Sequence, residues 1–383
     1  MSVPPNQKSL QIIEAFDHFE LVYRWLDILT DLTIPVIFHV REVYRGTLVA
    51  KYSYYKNVRF RSPGKKQSWP NYLQQLTDRP GSVWIISTIG RRPSWFAPLL
   101  HFSELYLVQH DVNYCNSVRF RPAKSASPLS FVRRLVTHDW QRKLCKLMDG
   151  ARGYIYPTPS LRDYGRQCNP RLAKRHLVIP FAGQMKTGVY RPVPSAEFRI
   201  VVPGSVRNSV RDYPLLMEAL TRVLTHAERT VEIHFAGPVM DSAVPVHFRQ
   251  LTDRINREAI FKAGIKTYFY TDGLTFAKYE QLIESADILV SPLQPFAQIS
   301  NVWEELGKSK ISGSVFDAIR FGKRLYVPRW FDPEFTELFR FTSSQDLAHQ
   351  ISQALNADYL EPVIYSGHAA VDMKRYFLDL ITS

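Results

Sequence analysis

The chain reads as an α/β protein of two Rossmann-like domains facing across a cleft. Three observations predict this. Its 383 residues exceed one ordinary core and suit two domains of common size. Short β-branched runs alternate with stretches of helical apolar spacing, the pattern of a parallel sheet covered by helices. That alternation halts at a Pro-bounded stretch, Tyr190 to Pro194, and starts again beyond it. Ligands of such sheets bind outside the carboxyl ends of the strands, so paired domains would form a cleft. The expected division is 1–192, 196–365, and a C-terminal helix over 366–383 that packs back on the first domain.

In chain order, Ile12 to Leu32 carries Phe16, Phe19, Val22, Tyr23, Leu26 and Leu29 at helical spacing and predicts an amphipathic helix. Strands are expected at Ile34–Val40, Val83–Ile89 and Leu105–Gln109, with a Tyr/Arg/Lys-rich hairpin or excursion from Arg41 to Lys66. Leu129–Met148 predicts a helix with Leu129, Val132, Leu135, Val136, Trp140, Leu144 and Leu147 on one side. Arg133, Arg134, Arg142, Lys143 and Lys146 fall on the other. Strands at Tyr154–Tyr156 and Leu177–Ile179 complete the first half. The second half predicts strands at Phe198–Val202, Val231–Ala236, Lys266–Tyr270, Ile288–Val290 and Arg324–Val327. Helices are expected at Leu215–Leu224, Phe248–Ala263, Phe276–Glu284 and Ser314–Phe321.

Composition narrows the function classes. Hydrophobic residues make up 45% and aromatics 13%, enough to pack two cores, so global disorder is excluded. No apolar run approaches the roughly 20 residues that span a bilayer. Met1 to Ser9 shows no charged segment leading into an apolar one, so no signal peptide is expected. Cys115, Cys145 and Cys168 are odd in number and unevenly spaced, which fits a reducing compartment and offers no zinc site. Residues 1–195 hold 29 Lys and Arg against 12 Asp and Glu, a net of +17. Residues 196–383 hold 20 against 23, a net of −3. A basic first half calls for an anionic partner: a lipid surface, a phosphorylated acceptor or a nucleic acid.

The segment from Glu304 to Lys323 carries the most chemistry. Gly307 and Gly313 permit tight backbone turns. Ser312 or Ser314 can cap the helix that starts there, whose positive end is an anion site. Lys308 and Lys310 stand beside it, and Asp317, one turn on, can reach the hydroxyls of a ribose. Convergent N–H groups, hydroxyls and cations are what a diphosphate needs.

Glu305-x-Gly307 followed by Asp317-Ala318-x-x-x-Gly322-Lys323 resembles the C-terminal signature of GT-B glycosyltransferases, family 4-like. Val202-Pro203-Gly204-Ser205-Val206-Arg207 with Arg211-Asp212-Tyr213-Pro214-Leu215-Leu216-Met217-Glu218-Ala219 is similar to the family's G-R-x(n)-K-G-x-x-x-L-L-x-A. Tyr279 to Pro292 resembles its E-L-x-x-x-Y-x-x-A-D-V-x-V-x-P-S, and His176 to Gly183 its interdomain V-I-P-N-G-V-D. The resemblance spans roughly residues 150–330. It implies a transferase that moves a sugar from a nucleotide-sugar donor to a glycan or lipid-linked acceptor in surface polysaccharide synthesis. By the same resemblance, Gly204, Arg207, Arg211, Lys310 and Ser312 hold the diphosphate, Asp317 the ribose and Glu305 the transferred sugar. No cofactor and no metal are implied. The chain departs from the pattern at Arg211, where the family has Lys, at Asp317 for Glu, and in the longer spacing from Glu305 to Asp317. The family's N-terminal Gly-Gly loop has no counterpart here.

The first half is then expected to hold the acceptor. Val108-Gln109-His110-Asp111 places His110 and Asp111 at a strand exit, where either serves as the base of an inverting transfer. A cytoplasmic protein is expected, resting on an anionic membrane through Arg119, Arg121, Lys124 and the basic face of the following helix. Two other classes remain. Interleaved Tyr and basic residues at Tyr44–Arg61 suit a nucleic-acid binder, but no nucleic-acid motif appears and that class leaves the lysine–serine–glycine loop unexplained. A sugar-nucleotide epimerase or hydrolase of the same architecture would turn over donor alone.

Overall fold

The computed structural model describes residues 8–16, 18–30, 32–90, 92–116, 142–168, 174–184, 197–225, 227–258, 264–271, 273–299, 302–331, 334–368 and 370–382. Tyr190–Pro194 lies outside them, as do Arg119, Arg121, Lys124, Arg133 and Arg134. The chain divides into two compact units, Met1–Gly183 with Ile299–Val302 and Ala370–Ser383, and Gln184–Gln298 with Trp303–Ala369.

In the first unit the described residues form a seven-stranded sheet from β1 (Ser9–Glu14), β2 (Val36–Val40), β3 (Val58–Arg61), β4 (Ser82–Ile86), β5 (Leu105–Val108), β6 (Gly153–Tyr156) and β7 (Arg175–Val178). Their order is β3-β2-β1-β4-β5-β6-β7, and neighbours run parallel. Central strands of such a sheet are covered on both faces, so β1, β2, β4 and β5 bury every residue.

That double burial corrects the first expectation. Ile12 and Ile13 belong to β1, and the helix begins only at Phe19 and ends at Leu29. A continuous apolar run of a buried strand leads into the helix without a polar interruption, and the two merge under a 3.6-residue count. The Arg41–Lys66 stretch is likewise no hairpin but a helix, Glu42–Tyr52, leading into β3. It buries Leu48 and Tyr52 while its basic residues stay outside. Helical residues 142–150 bury Leu144, Leu147 and Met148 and expose Arg142, Lys143 and Lys146. The helix Ala370–Thr382 packs on the helix Phe19–Leu29. There Phe377 meets Trp25 edge-on at 5.4 Å, and the Trp25 indole N–H reaches the Pro180 carbonyl at 3.3 Å.

The second unit repeats the plan with β8 (Glu197–Pro203), β9 (Thr230–Ala236), β10 (Ile265–Phe269), β11 (Ile288–Val290), β12 (Phe296–Ile299), β13 (Val302–Glu305), β14 (Leu325–Pro328) and β15 (Phe339–Phe341). Strands β12 and β13 pair with each other, and the parallel sheet runs β10-β9-β8-β11-β14-β15. Its core gathers Phe198, Ile200, Ile233 and Phe235 from the strands with Leu216 and Leu220 from the helix Tyr213–Leu224. Beyond β14 the sheet gains β15, three residues long and too short to leave a periodic signal, and then the helix Ser344–Leu355. Among the described residues no helix is long and apolar enough to cross a membrane.

Strand order reverses between β1 and β4 in one unit and between β8 and β11 in the other. In an open parallel sheet this is where the crevice for a ligand opens at the carboxyl ends.

In the first unit, backbones approach closely at Gly153 in β6, where an added Cβ would lie 2.5 Å from the Arg175 carbonyl oxygen of β7. Gly153→Ala is therefore expected to cost about 1–3 kcal/mol through overpacking, read as a lower urea midpoint. An unchanged midpoint would mean that β7 yields without cost.

Candidate active site

At the β8/β11 reversal, β8 runs into Gly204, which has φ 84°, a left-handed value that favours glycine. The guanidinium of the buried Arg211 turns back under this loop. It donates to the carbonyls of Pro203 and, at 2.8 Å, of Ser205. Gly204 must lack a side chain because its Cβ would sit 2.6 Å from the Arg211 Nη2. Gly237, at the end of β9, packs backbone to backbone on Gly204, where a Cβ would come within 2.4 Å of its carbonyl. The next residue, Asp212, caps the helix Tyr213–Leu224 through the Leu215 N–H at 3.0 Å. Its own N–H bonds the Pro292 carbonyl beyond β11 at 2.6 Å, and Gln294 N–H returns to Val210 at 2.9 Å. The loops after β8 and β11 are thus one hydrogen-bonded layer.

Ser291, fully buried at the end of β11, accepts from Ser314 at 3.1 Å, and Ser314 exchanges a 2.8 Å bond with Ser312. Ser312 is the N-cap of the helix Gly313–Phe321, yet its hydroxyl makes no bond to the helix N–H groups. Side-chain capping, expected of Ser312 or Ser314, is replaced by this chain of hydroxyls. Gly313, at the positive end of this helix, is exposed, with nothing within 4 Å of where its Cβ would stand.

The cations divide their work. Lys308 pairs with Glu305 at 2.9 Å in a turn that Gly307, at φ 83°, makes possible. Ser309 closes that turn by donating to the buried Glu304 at 2.5 Å. Lys310 is half-buried, and its carbonyl accepts from Gly307 at 2.8 Å. Asp317 is buried one turn into the helix, where the Tyr279 hydroxyl donates to it at 2.6 Å. Burial lowers the pKa of Arg211, and among the described residues no carboxylate pairs with Arg211 or with Arg207. Arg211 is therefore a buried positive charge in the loop after β8 with no carboxylate partner among the described residues.

In the first unit, Glu14 ends β1 at the other reversal and is fully buried. It accepts from Ser87 at 2.7 Å, Thr88 at 2.6 Å and the Phe16 N–H at 2.8 Å. Burial pushes its carboxyl above the ordinary value, although the charge of His18 and these donors pull the other way. His110, just past β5, bonds the Ser87 carbonyl through Nε2 at 2.6 Å, which puts the proton on Nε2. Its ring stacks on His18 at 4.9 Å and leans on Phe181 at 4.8 Å. His18 bonds Glu20 through Nδ1 at 3.0 Å. Burial raises the Glu20 carboxyl, but the hydrogen bond and charge of His18, with Arg24, outweigh it and hold it at about 2. A carboxylate behind Nδ1 favours the tautomer of a neutral imidazole with its proton on that nitrogen.

Sequence reasoning located His110 but missed Glu14, His18 and Glu20, since all three fall inside or beside the helix expected from Ile12. The available signal was His18-x-Glu20 a few residues after Ile12-Ile13. Asp111 leads the short helix Val112–Asn116, its carbonyl accepting from Cys115 at 3.0 Å. In the second unit, Gly204, Arg207 and Arg211 share one loop and Ser312, Gly313 and Ser314 the adjoining helix end. Ser291, Gly237 and Tyr279 join them only in three dimensions.

No family model and no curated protein sequence matches the chain. Solved structures do. A glycosyltransferase from Rickettsia africae matches with a TM-score of 0.55 at 12% identity, covering 98% of this chain and 98% of that one. Anabaena HepE in complex with UDP and glucose gives 0.54 at 12% identity over 99% and 100%. The UDP-GlcNAc 2-epimerase of Neisseria meningitidis bound to UDP-GlcNAc gives 0.50 at 8% identity over 98% and 99%. At such identities the likeness is one of fold, and the fold is GT-B: two parallel α/β sheets, each wound as a Rossmann-like unit.

The raised Glu14 carboxyl sets a pH dependence. Its protonated form is favoured in the folded state, so its contribution is complete below the ordinary value of 4.5 and is lost as pH rises through the folded value. Glu14→Gln, whose amide can still accept from Phe16 and donate to Thr88, should lack this decline. Denaturant titrations of both proteins across that window check it. Parallel stability–pH curves would show that Glu14 titrates normally.

Proposed function

We propose that the chain is a glycosyltransferase that takes a nucleotide sugar, with UDP as its nucleotide, and passes the sugar to a glycan or lipid-linked acceptor. The observation that carries this is the charge of Arg211 and Arg207, paired with no carboxylate among the described residues, in the hydrogen-bonded layer of loops that also holds the N-terminus of the helix Gly313–Phe321. A buried guanidinium without a carboxylate costs stability, and a diphosphate supplies the missing counter-charge. The two phosphates would lie on the Gly313 and Ser314 N–H groups, with Ser312, Arg207 and Lys310 around them. Asp317, oriented by Tyr279, would take the ribose, and Glu305 the transferred sugar once it exchanges Lys308. Arg211 acts from below, by holding Gly204 in place.

On the acceptor side His18, backed by Glu20, is the better base. His110 has committed its Nε2 proton to the Ser87 carbonyl and serves to support the His18 ring. In the transfer, His18 accepts the proton of the acceptor hydroxyl as its oxygen bonds the anomeric carbon. The bond from that carbon to the diphosphate oxygen breaks on the opposite face, so the product is inverted. Helix dipole and cations offset the charge that develops on the departing diphosphate, and no metal is required. Peripheral binding to an anionic membrane would bring a lipid-linked acceptor to the +17 half of the chain.

The test uses a panel of UDP-sugars with and without glycan or lipid-linked acceptors. Arg207→Ala is expected to weaken UDP binding by about 1.5–3 kcal/mol with folding intact. His18→Ala is expected to lower kcat by about 10²–10⁴ with UDP affinity kept. Conversion of donor alone into a second UDP-sugar would replace transfer by epimerisation, the activity of one structural neighbour. Parental kcat in His18→Ala, or product of retained configuration, would remove the base assignment.

A further inference from the structure

Away from both strand-order reversals, the carboxyl ends of β2 and β3 enclose a pocket of about 570 Å³. Arg45, Arg61, Lys65, Glu42, Tyr72 and Gln75 contribute to its walls. The helix Glu42–Tyr52 starts at its edge, so the helix's positive end adds to the cations. Glu42 is the pocket's one acid among the described residues, and it is already engaged. Ser62 donates to it, Arg45 pairs with it at 3.4 Å, and Ser62 is the main cause of its lowered pKa. Arg61 and Lys65 are exposed at the mouth, and no carboxylate pairs with either among the described residues.

Tyr72, in the pocket wall, is tied to a buried hydrogen-bond chain behind it. Gln11 donates to Ser9, which turns its carbonyl oxygen towards His39 Nε2 at 3.0 Å. His39 therefore donates from Nε2 and accepts at Nδ1 from the Tyr72 hydroxyl at 2.7 Å. Burial and the charge of Arg61 keep this imidazole neutral, with its pKa down at about 3. Tyr72 has spent its proton inward, so towards the pocket it can only accept. The charged donors that face the pocket are guanidinium and ammonium groups, with the Gln75 side-chain amide beside them, an arrangement suited to an anion.

We infer that this pocket is a subsite for a phosphate or diphosphate group carried by the acceptor. Naming the acceptor rests on the transferase reading above, whereas the anion site itself stands on the pocket alone. Strands in a sheet lie about 4.8 Å apart, so β3 is two spacings, about 10 Å, from β1, and His18, which stacks on His110 beyond β5, lies on the far side of β1 from it. An acceptor held here by its phosphate would have to extend beyond β1 to present a hydroxyl to the base, as a glycosyl phosphate or diphosphate of more than one sugar does.

Hydrogen exchange of the full chain with inorganic pyrophosphate tests this. The parent should show slowed exchange across residues 61–66, weakening as salt is added. Arg61→Ala/Lys65→Ala should need at least about tenfold more pyrophosphate for the same protection. UDP should slow exchange at residues 204–207 and 312–315 in parent and variant alike, which reports the donor site separately. Loss of that UDP signal alone would count against the transferase and leave the anion pocket standing. No protection at 61–66, or equal protection in parent and double variant, would overturn the inference. So would protection there by phosphatidylglycerol vesicles but not by pyrophosphate, which would assign the charge to a lipid surface.

Discussion

The buried guanidinium of Arg211 is the constraint from which the second unit's site follows. It satisfies two carbonyls of the loop it belongs to, and its Nε is left without a partner. Gly204 must be a glycine because Arg211 fills the space of its Cβ, and Gly237 because Gly204 fills the space of its own. The same loop passes Asp212 to the helix Tyr213–Leu224 as its cap and to Pro292 as a donor. Removing the charge would leave carbonyls unsatisfied and a void behind them. Lysine could not replace it, since one ammonium cannot span two carbonyls on either side of a turn as a planar fork does.

Both units place their polar side chains by the same topology. Each sheet reverses strand order once, and each reversal gathers buried polar groups: Ser291 with Ser314 in one, Glu14 with Ser87 and Thr88 in the other. The chemistry differs. One reversal holds a buried guanidinium with no carboxylate partner among the described residues, and the other a buried acid whose carboxyl is pushed up, next to stacked imidazoles. Under the proposed transfer, charge stabilisation would fall to the first and proton transfer to the second. That division agrees with a chain whose donor contributes the anion and whose acceptor contributes the proton.

The sequence made the fold class legible because parallel strands and amphipathic helices leave different periodicities, and most of the expected elements stand within a few residues of where they form. Periodicity failed where a buried strand runs into a helix without a polar break, at Ile12, and with that failure went Glu14, His18 and Glu20. It failed also between Arg41 and Lys66, where basic and aromatic residues masked a helix whose buried side is only Leu48 and Tyr52. Glycine-bounded loops were legible because close backbone approach admits few residues: Gly204, Gly307 and Gly313 all lie at turns or at a helix end. What no local pattern encodes is pairing across the fold. Nothing near Asp317 announces Tyr279, nothing near Ser314 announces Ser291, and Arg211, expected among the diphosphate ligands, is directed at its own loop's carbonyls.

The central claim is that the charge of Arg211 and Arg207, paired with no carboxylate among the described residues, is there for a diphosphate. A crystal structure of the chain soaked with UDP tests it most directly. The phosphates should lie within hydrogen-bond distance of the Gly313 and Ser314 N–H groups with Arg207 turned onto them, and Arg211 unmoved beneath Gly204. UDP bound elsewhere in the second unit, or Arg211 swung out to ligate it while the Gly204 loop reorganises, would contradict the account.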